Sequence, residues 1–166
     1  MSKGAGHGRE KSGKWMYIVL PVLAVLVIAI GAGWLLVGHK DAGAGSPEIQ
    51  LAPVSQLTGS VATAPQVVQE AYRFAIANPK ILNRIPCYCG CGRMGHKSNL
   101  ECFVKNFNDD GSIEFDDHAL GCSICVDIAR DTLRLAREGK PLGEIRAYID
   151  HQYGKFGAPT DTEPVS

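Results

Sequence analysis

The sequence predicts a mainly α-helical small domain carried on one N-terminal transmembrane helix, with a cysteine-rich loop and a short hairpin set among its helices. Three observations lead there. An uncharged run of 23 residues, Trp15 to Val37, precedes any other patterned segment. Later stretches repeat apolar residues at helical spacing. All six cysteines fall between Cys87 and Cys125, where glycine, asparagine and aspartate break that spacing.

Residues 1–14 are polar and glycine-rich, with Lys3, Arg9, Lys11 and Lys14 against Glu10. Such a segment has too little apolar surface to fold and reads as a basic tail. The run at residues 15–37 rises about 1.5 Å per residue as a helix, enough to cross a hydrocarbon core of about 30 Å. Trp15, Tyr17 and Trp34 stand near its ends, where aromatic rings favour the interface. The basic flank is N-terminal, so the tail is expected in the cytoplasm and everything after the run outside it. The run exceeds the apolar core of a cleaved signal peptide, and Ala29-Ile30-Gly31 is a weak cleavage site, so a retained anchor is expected. No cysteine follows the run before Cys87, which leaves no lipid-modified cysteine there.

Residues 38–62 are rich in Gly, Ala, Ser, Pro and Thr and read as a flexible linker. The cysteine-rich helical domain is expected over 63–157. Its first helix is predicted from Ala64 to Ala77, with Thr63 as N-cap, Pro65 in the first turn, and Val67, Val68, Ala71, Tyr72 and Ala75 on one face. Asn78-Pro79 stops it, and the amphipathic piece 81–85 leads into the cysteine loop. Cys102-Phe103-Val104 and Ile113-Glu114-Phe115 are predicted to pair as a hairpin around Asn108-Asp109-Asp110-Gly111. A long helix is predicted over 117–138, ended by Gly139, with Leu120, Ile124, Ile128, Leu133 and Leu135 inward. Asp127, Arg130, Asp131 and Arg134 would then face outward and pair. A third helix is predicted over 141–153, ended by Gly154, and residues 158–166 read as a disordered tail.

The formal net charge is zero, which gives no reason to expect a nucleic-acid partner. Residues 41–166 carry 12 basic and 16 acidic side chains, a mild negative excess. No Ser-His-Asp set, carboxylate pair or phosphate loop suggests hydrolysis or phosphoryl transfer, so a binding module is expected rather than an enzyme.

The chemistry concentrates in Pro86-Cys87-Tyr88-Cys89-Gly90-Cys91-Gly92. Alternate residues of an extended chain leave the same face, so Cys87, Cys89 and Cys91 can aim at one point. His118, Cys122 and Cys125 stand at i, i+4 and i+7, one stripe of a helix. Thiolates and imidazoles together select copper(I), zinc and similar thiophilic ions. The expected ligand set is therefore Cys87, Cys89, Cys91, His118, Cys122 and Cys125 in one shared site, with His96 and Cys102 either extending that site or making a second one. His7, His39 and His151 read as tail, membrane-flank and surface residues. Two rival readings use the same sulfurs. Three disulfides would suit an oxidising compartment. Cys122-Ser123-Ile124-Cys125 has the spacing of a redox pair. A calcium pattern also runs through Asn106, Asn108, Asp110, Gly111, Ser112, Glu114 and Asp117. Asn stands at its first position, Asp at its last, and flanking helices are missing, so calcium is not expected at 106–117.

Pro86–Gly92, then His96, Cys102-Phe103, Asp117-His118 and Cys122-x-x-Cys125, resemble the bacterial PCYCGC-motif family. That resemblance implies an extracytoplasmic domain and brings no established activity. Its members are often lipid-anchored, whereas this chain offers a helical anchor. A second similarity, through Cys122-x-x-Cys125, Ile128–Asp131, Gly139, Glu144–Tyr148 and Tyr153-Gly154, is to CcmH-type cytochrome c maturation proteins, small helical domains that handle thiols. The Leu-Arg-Cys segment of those proteins is absent here. The combined expectation is a single-pass protein of the bacterial cytoplasmic membrane that binds copper(I) or zinc, with a respiratory metalloprotein or another metallochaperone as its partner.

Overall fold

Helices α1 (Gly59–Ala62), α2 (Gln66–Ala77), α3 (Pro79–Leu82), α4 (Ser123–Arg137) and α5 (Leu142–Tyr153), with strands β1 (Val104–Phe107) and β2 (Ile113–Phe115), make up a mainly helical small domain in the computed structural model, which describes residues 49–165. The expected tail and transmembrane segment, residues 1–37, and the linker up to 48 lie outside the described residues. Among the described residues no helix is long and apolar enough to cross a membrane.

Two helices form the frame. α2 buries Ala71, Tyr72, Phe74 and Ala75, and packs against α4, which buries Val126, Ile128, Ala129, Leu133 and Leu135. α5 covers the same helix with Ile145, Ile149 and Tyr153. The apolar face of α2 is rotated from the expectation, since Val67 is exposed and Phe74 is fully buried. The charged edge of α4 pairs as expected in part. Arg134 reaches Asp131 at 3.1 Å, but Arg130 crosses to Glu70 on α2 at 3.0 Å.

Several boundaries differ from the sequence reading, each for a local reason. Thr63 does not cap α2. Its hydroxyl donates to the Ser60 carbonyl and closes α1, while Pro65 stands at the N-cap position. Gln69 reaches back to the Ala62 and Ala64 carbonyls, satisfying acceptors the turn leaves open. The strand expected at Cys102 starts only at Val104, because Leu100–Cys102 forms a 3-10 turn. The hairpin itself forms, with Phe107 opposite Ile113 and Val104 opposite Phe115. It gives the 106–117 segment strand flanks, and Asp110 turns inward to accept from the Ser112 amide and hydroxyl.

Both ends of the expected domain need extension. Of the expected linker, residues 49–62 are packed onto the fold. Ala52 and Arg73 exchange two hydrogen bonds, and Leu57 and Val61 are buried. Ala52, Leu57 and Val61 anchor this stretch, while its small polar residues stay exposed. The expected disordered tail is also held: Thr160 and Thr162 are buried, and Arg146 donates to the Thr162 and Glu163 carbonyls.

Candidate metal centre

The loop after α3 carries three thiols and His96 toward the other three thiols and His118, which later elements supply. Pro86 and Cys87 run extended beside the C-terminal segment. The Cys87 amide donates to the Thr160 hydroxyl and the Thr160 amide donates to the Cys87 carbonyl, both at 2.9 Å. Alternation then works as expected over three residues. Tyr88 faces away and donates to Asp150 on α5 at 2.6 Å, while the Cys87 and Cys89 sulfurs stay 3.5 Å apart. Gly90 ends the alternation. Its φ of +87°, a left-handed conformation that suits a residue without Cβ, redirects the chain into the 3-10 turn Cys91–Met94. Cys91 consequently meets Cys102, with sulfurs 3.5 Å apart, rather than its two predecessors' partners.

His118, Cys122 and Cys125 do converge, but not along one helix. His118 begins a 3-10 turn, Gly121 follows it outside helical geometry, and Cys122 is the N-cap of α4. Only Cys125 sits inside the helix, in its first turn.

The result is two adjoining groups. Cys89, His118, Cys122 and Cys125 bring their ligand atoms within 4.8 Å of one another, and Cys87, Cys91 and Cys102 do the same. The Cys89 sulfur is 3.2 Å from His118 Nε2 and 3.5 Å from the Cys125 sulfur. Cys87 touches the first group as well, at 3.5 Å from Cys125. The expectation of one shared site for the loop and α4 is thus corrected at Cys87 and Cys91, which group with Cys102, while Cys89 joins the α4 cysteines. His96 lies beside Cys102, with Nδ1 3.6 Å from its sulfur. His151 is exposed on α5, where its ring contacts Gln152.

These spacings suit ions better than bridges. All six cysteines are free thiols, and the contacting sulfur pairs at 3.5 Å lie far beyond a disulfide bond of about 2.05 Å. Sulfurs on one tetrahedral ion with bonds of about 2.3 Å would stand about 3.8 Å apart, and a sulfur and an imidazole nitrogen about 3.5 Å. The electrostatics divide the thiols. Hydrogen bonding from Cys102, with Cys125 and Cys91 after it, holds the Cys87 thiol far below its ordinary range. Hydrogen bonding from Cys102, followed by His118, brings Cys89 down to about 5 against the opposing effect of burial. Cys102 is pushed far up by its bonding with Cys125, Cys87 and Cys89, and burial raises Cys122. A cluster with some thiols primed as thiolates and others holding protons is a site that a cation would complete by displacing protons.

Asp116 was not among the residues picked out from sequence, although it touches both histidines. Its Oδ1 accepts from the His118 amide at 2.8 Å, and its Oδ2 lies 3.8 Å from His96 Nε2. The backbone of Asp116 is fixed in turn, donating to the Phe103 carbonyl at 2.9 Å and accepting from Tyr72 Oη at 2.6 Å. Tyr72 is fully buried edge-on against Phe103, centroids 5.0 Å apart. A rigid aromatic core therefore carries a carboxylate that fixes the His118 main chain and stands beside the His96 ring. Its only sequence signal is position, one residue before the Asp117-His118 pair.

Comparison with known proteins accords with this loop. The family described as "Protein of unknown function with PCYCGC motif" matches residues 39–165. The chain belongs to the PCYCGC family. The match takes in the described domain, so the family's defining heptapeptide and the second cysteine pair sit in one fold. No curated protein and no solved structure matches the chain. The CcmH-type similarity finds no support in these comparisons.

Proposed function

We propose that this PCYCGC protein binds a thiophilic metal ion, copper(I) or zinc, outside the cytoplasm, and stores, senses or delivers it from an N-terminal membrane anchor. One observation carries the reading: Cys89, His118, Cys122 and Cys125, drawn from a loop, a 3-10 turn and the start of α4, bring four soft donors within 4.8 Å. Four donors of this type meet the need of a closed thiophilic site. Cys125 is fully buried, with its sulfur 3.5 Å from those of both Cys87 and Cys89.

The group is reachable. Cys89, His118 and Cys122 are half-buried rather than sealed. An open cleft of about 690 Å³ runs beside it, lined by Cys89, Gly90, Arg93, His96, Phe156 and Asp161 among others. Such a cleft gives a donor or acceptor protein, such as a metallochaperone or a respiratory metalloprotein awaiting its ion, a way to the metal. The uncharged run at 15–37 supports the anchor. The redox alternative, with Cys122 and Cys125 as the exchanging pair, is weakened by the direction of the Cys122 shift. Burial raises its thiol, whereas an attacking cysteine of such a pair is lowered.

The test is elemental analysis with thiol counting on the anaerobically purified chain. Stoichiometric copper or zinc with all thiols recovered on metal removal is expected. A metal-free protein whose sulfurs are all bridged would overturn the reading. So would thiol exchange that needs Cys122 and Cys125 but tolerates loss of Cys89.

A further inference from the structure

We infer that the chain holds two ions together, the second in an inner Cys3His site made by Cys87, Cys91, Cys102 and His96. This rests on the metal-binding reading above and goes beyond it in number, ligands and behaviour. The donors divide evenly. Cys89, His118, Cys122 and Cys125 already fill one tetrahedral shell. Three further thiols, Cys87, Cys91 and Cys102, remain within 4.8 Å of one another and lack only a fourth ligand.

His96 supplies it. Its Nδ1 lies 3.6 Å from the Cys102 sulfur, close to the separation of about 3.5 Å for sulfur and nitrogen on one tetrahedral ion. The other ring nitrogen faces Asp116 at 3.8 Å, which leaves Nδ1 as the nitrogen turned toward the Cys102 sulfur. Asp116 also accepts from the His118 main-chain amide, which fixes the backbone that carries the outer imidazole. The two imidazoles stand edge-on with centroids 5.5 Å apart, one for each group. The groups adjoin at Cys87, whose sulfur is 3.5 Å from both Cys89 and Cys125.

Burial separates their behaviour. The three inner thiols are buried and only His96 of the inner ligands is partly exposed, on the cleft, whereas three of the four outer ligands are partly exposed. The inner ion is held and the outer ion is exchangeable. A protein of this kind can give up one ion to a partner without losing the other that shapes its loop.

Titration of the reduced full chain with cadmium-113, a thiophilic probe, tests this. Saturation at two ions per chain is expected, with two cadmium resonances in the thiolate-rich region. A chelator should strip one resonance at least tenfold faster than the other. His96→Ala should move or abolish the slow resonance alone, and His118→Ala the fast one alone. The ion count on the unaltered chain stands whether or not either variant folds. Saturation at one ion per chain overturns the inner site while leaving metal binding intact. Two ions whose spectra ignore His96→Ala overturn the assigned ligand. No cadmium bound at all overturns the metal-binding reading itself.

Discussion

Thr160 and Cys87 grip each other in both directions. The threonine amide donates to the cysteine carbonyl, and the threonine hydroxyl accepts from the cysteine amide, each at 2.9 Å. The pair spans 73 residues of sequence and sets the first ligand of the loop. Thr160→Val keeps the shape but leaves the buried Cys87 amide without its acceptor. A loss of about 1–3 kcal/mol is expected, read from the denaturant midpoint of the metal-free chain. Thr160→Ser should recover most of it. Equal midpoints for the two variants would show that the hydroxyl bond contributes nothing.

Gly157 approaches the loop from the same segment. A Cβ there would stand 2.9 Å from the Tyr88 carbonyl oxygen. Tyr88 has little room to retreat, being buried and bonded to Asp150. Gly157→Ala should therefore lift the C-terminal segment and cost roughly 1–3 kcal/mol. Faster amide exchange at Tyr88 and Cys89 would report it, and unchanged exchange there would refute the close approach.

Asp116 bears on the proposed site through the His118 main chain and the His96 ring. Asp116→Ala removes the oxygens beside His118 and His96 but keeps the backbone bonds to Phe103 and Tyr72. Zinc affinity should fall about 10- to 100-fold with little change in helicity. An unaltered affinity would mean that the imidazoles are oriented by packing alone.

Alkylation should be ordered. Cys89 is half-exposed and its thiol is held at about 5, so at pH 6 in the metal-free, reduced chain it is mainly thiolate and open to attack. Cys102 is fully buried and pushed upward, so it is protonated and hidden. Peptide mapping after brief iodoacetamide treatment should find Cys89 labelled first and Cys102 last. As pH falls through about 5, Cys89 labelling should decline as its thiolate is protonated. Cys122 labelled ahead of Cys89 would contradict this order and favour the redox pair.

The helices were legible where apolar residues recur regularly, as at Ile128, Leu133 and Leu135 on α4. The hairpin was legible from its Asp-Gly turn, and the ligand types from cysteine spacing. The partition of the ligands was not. It depends on the φ of Gly90, which sends Cys91 away from Cys89, and on Gly121, which takes His118 off the helix. Periodicity counts positions and is blind to such breaks. The buried threonines at 160 and 162 were missed for a different reason. Their side chains are polar, and only partners far away in sequence, Cys87 and Lys97, make their burial favourable.

The strap that pins Cys87 is made from residues later than every ligand. A chain emerging in order has presented all its thiols once Cys125 is out, while Thr160 is still to come. During that interval the cysteine loop is tethered only on one side, and its sulfurs meet whatever oxidant or stray ion the compartment offers. Long-range closure of this kind is slow compared with helix formation. For the proposed metal site, timing then matters as well: the loop takes its final form only after the segment around Thr160 has arrived to hold it.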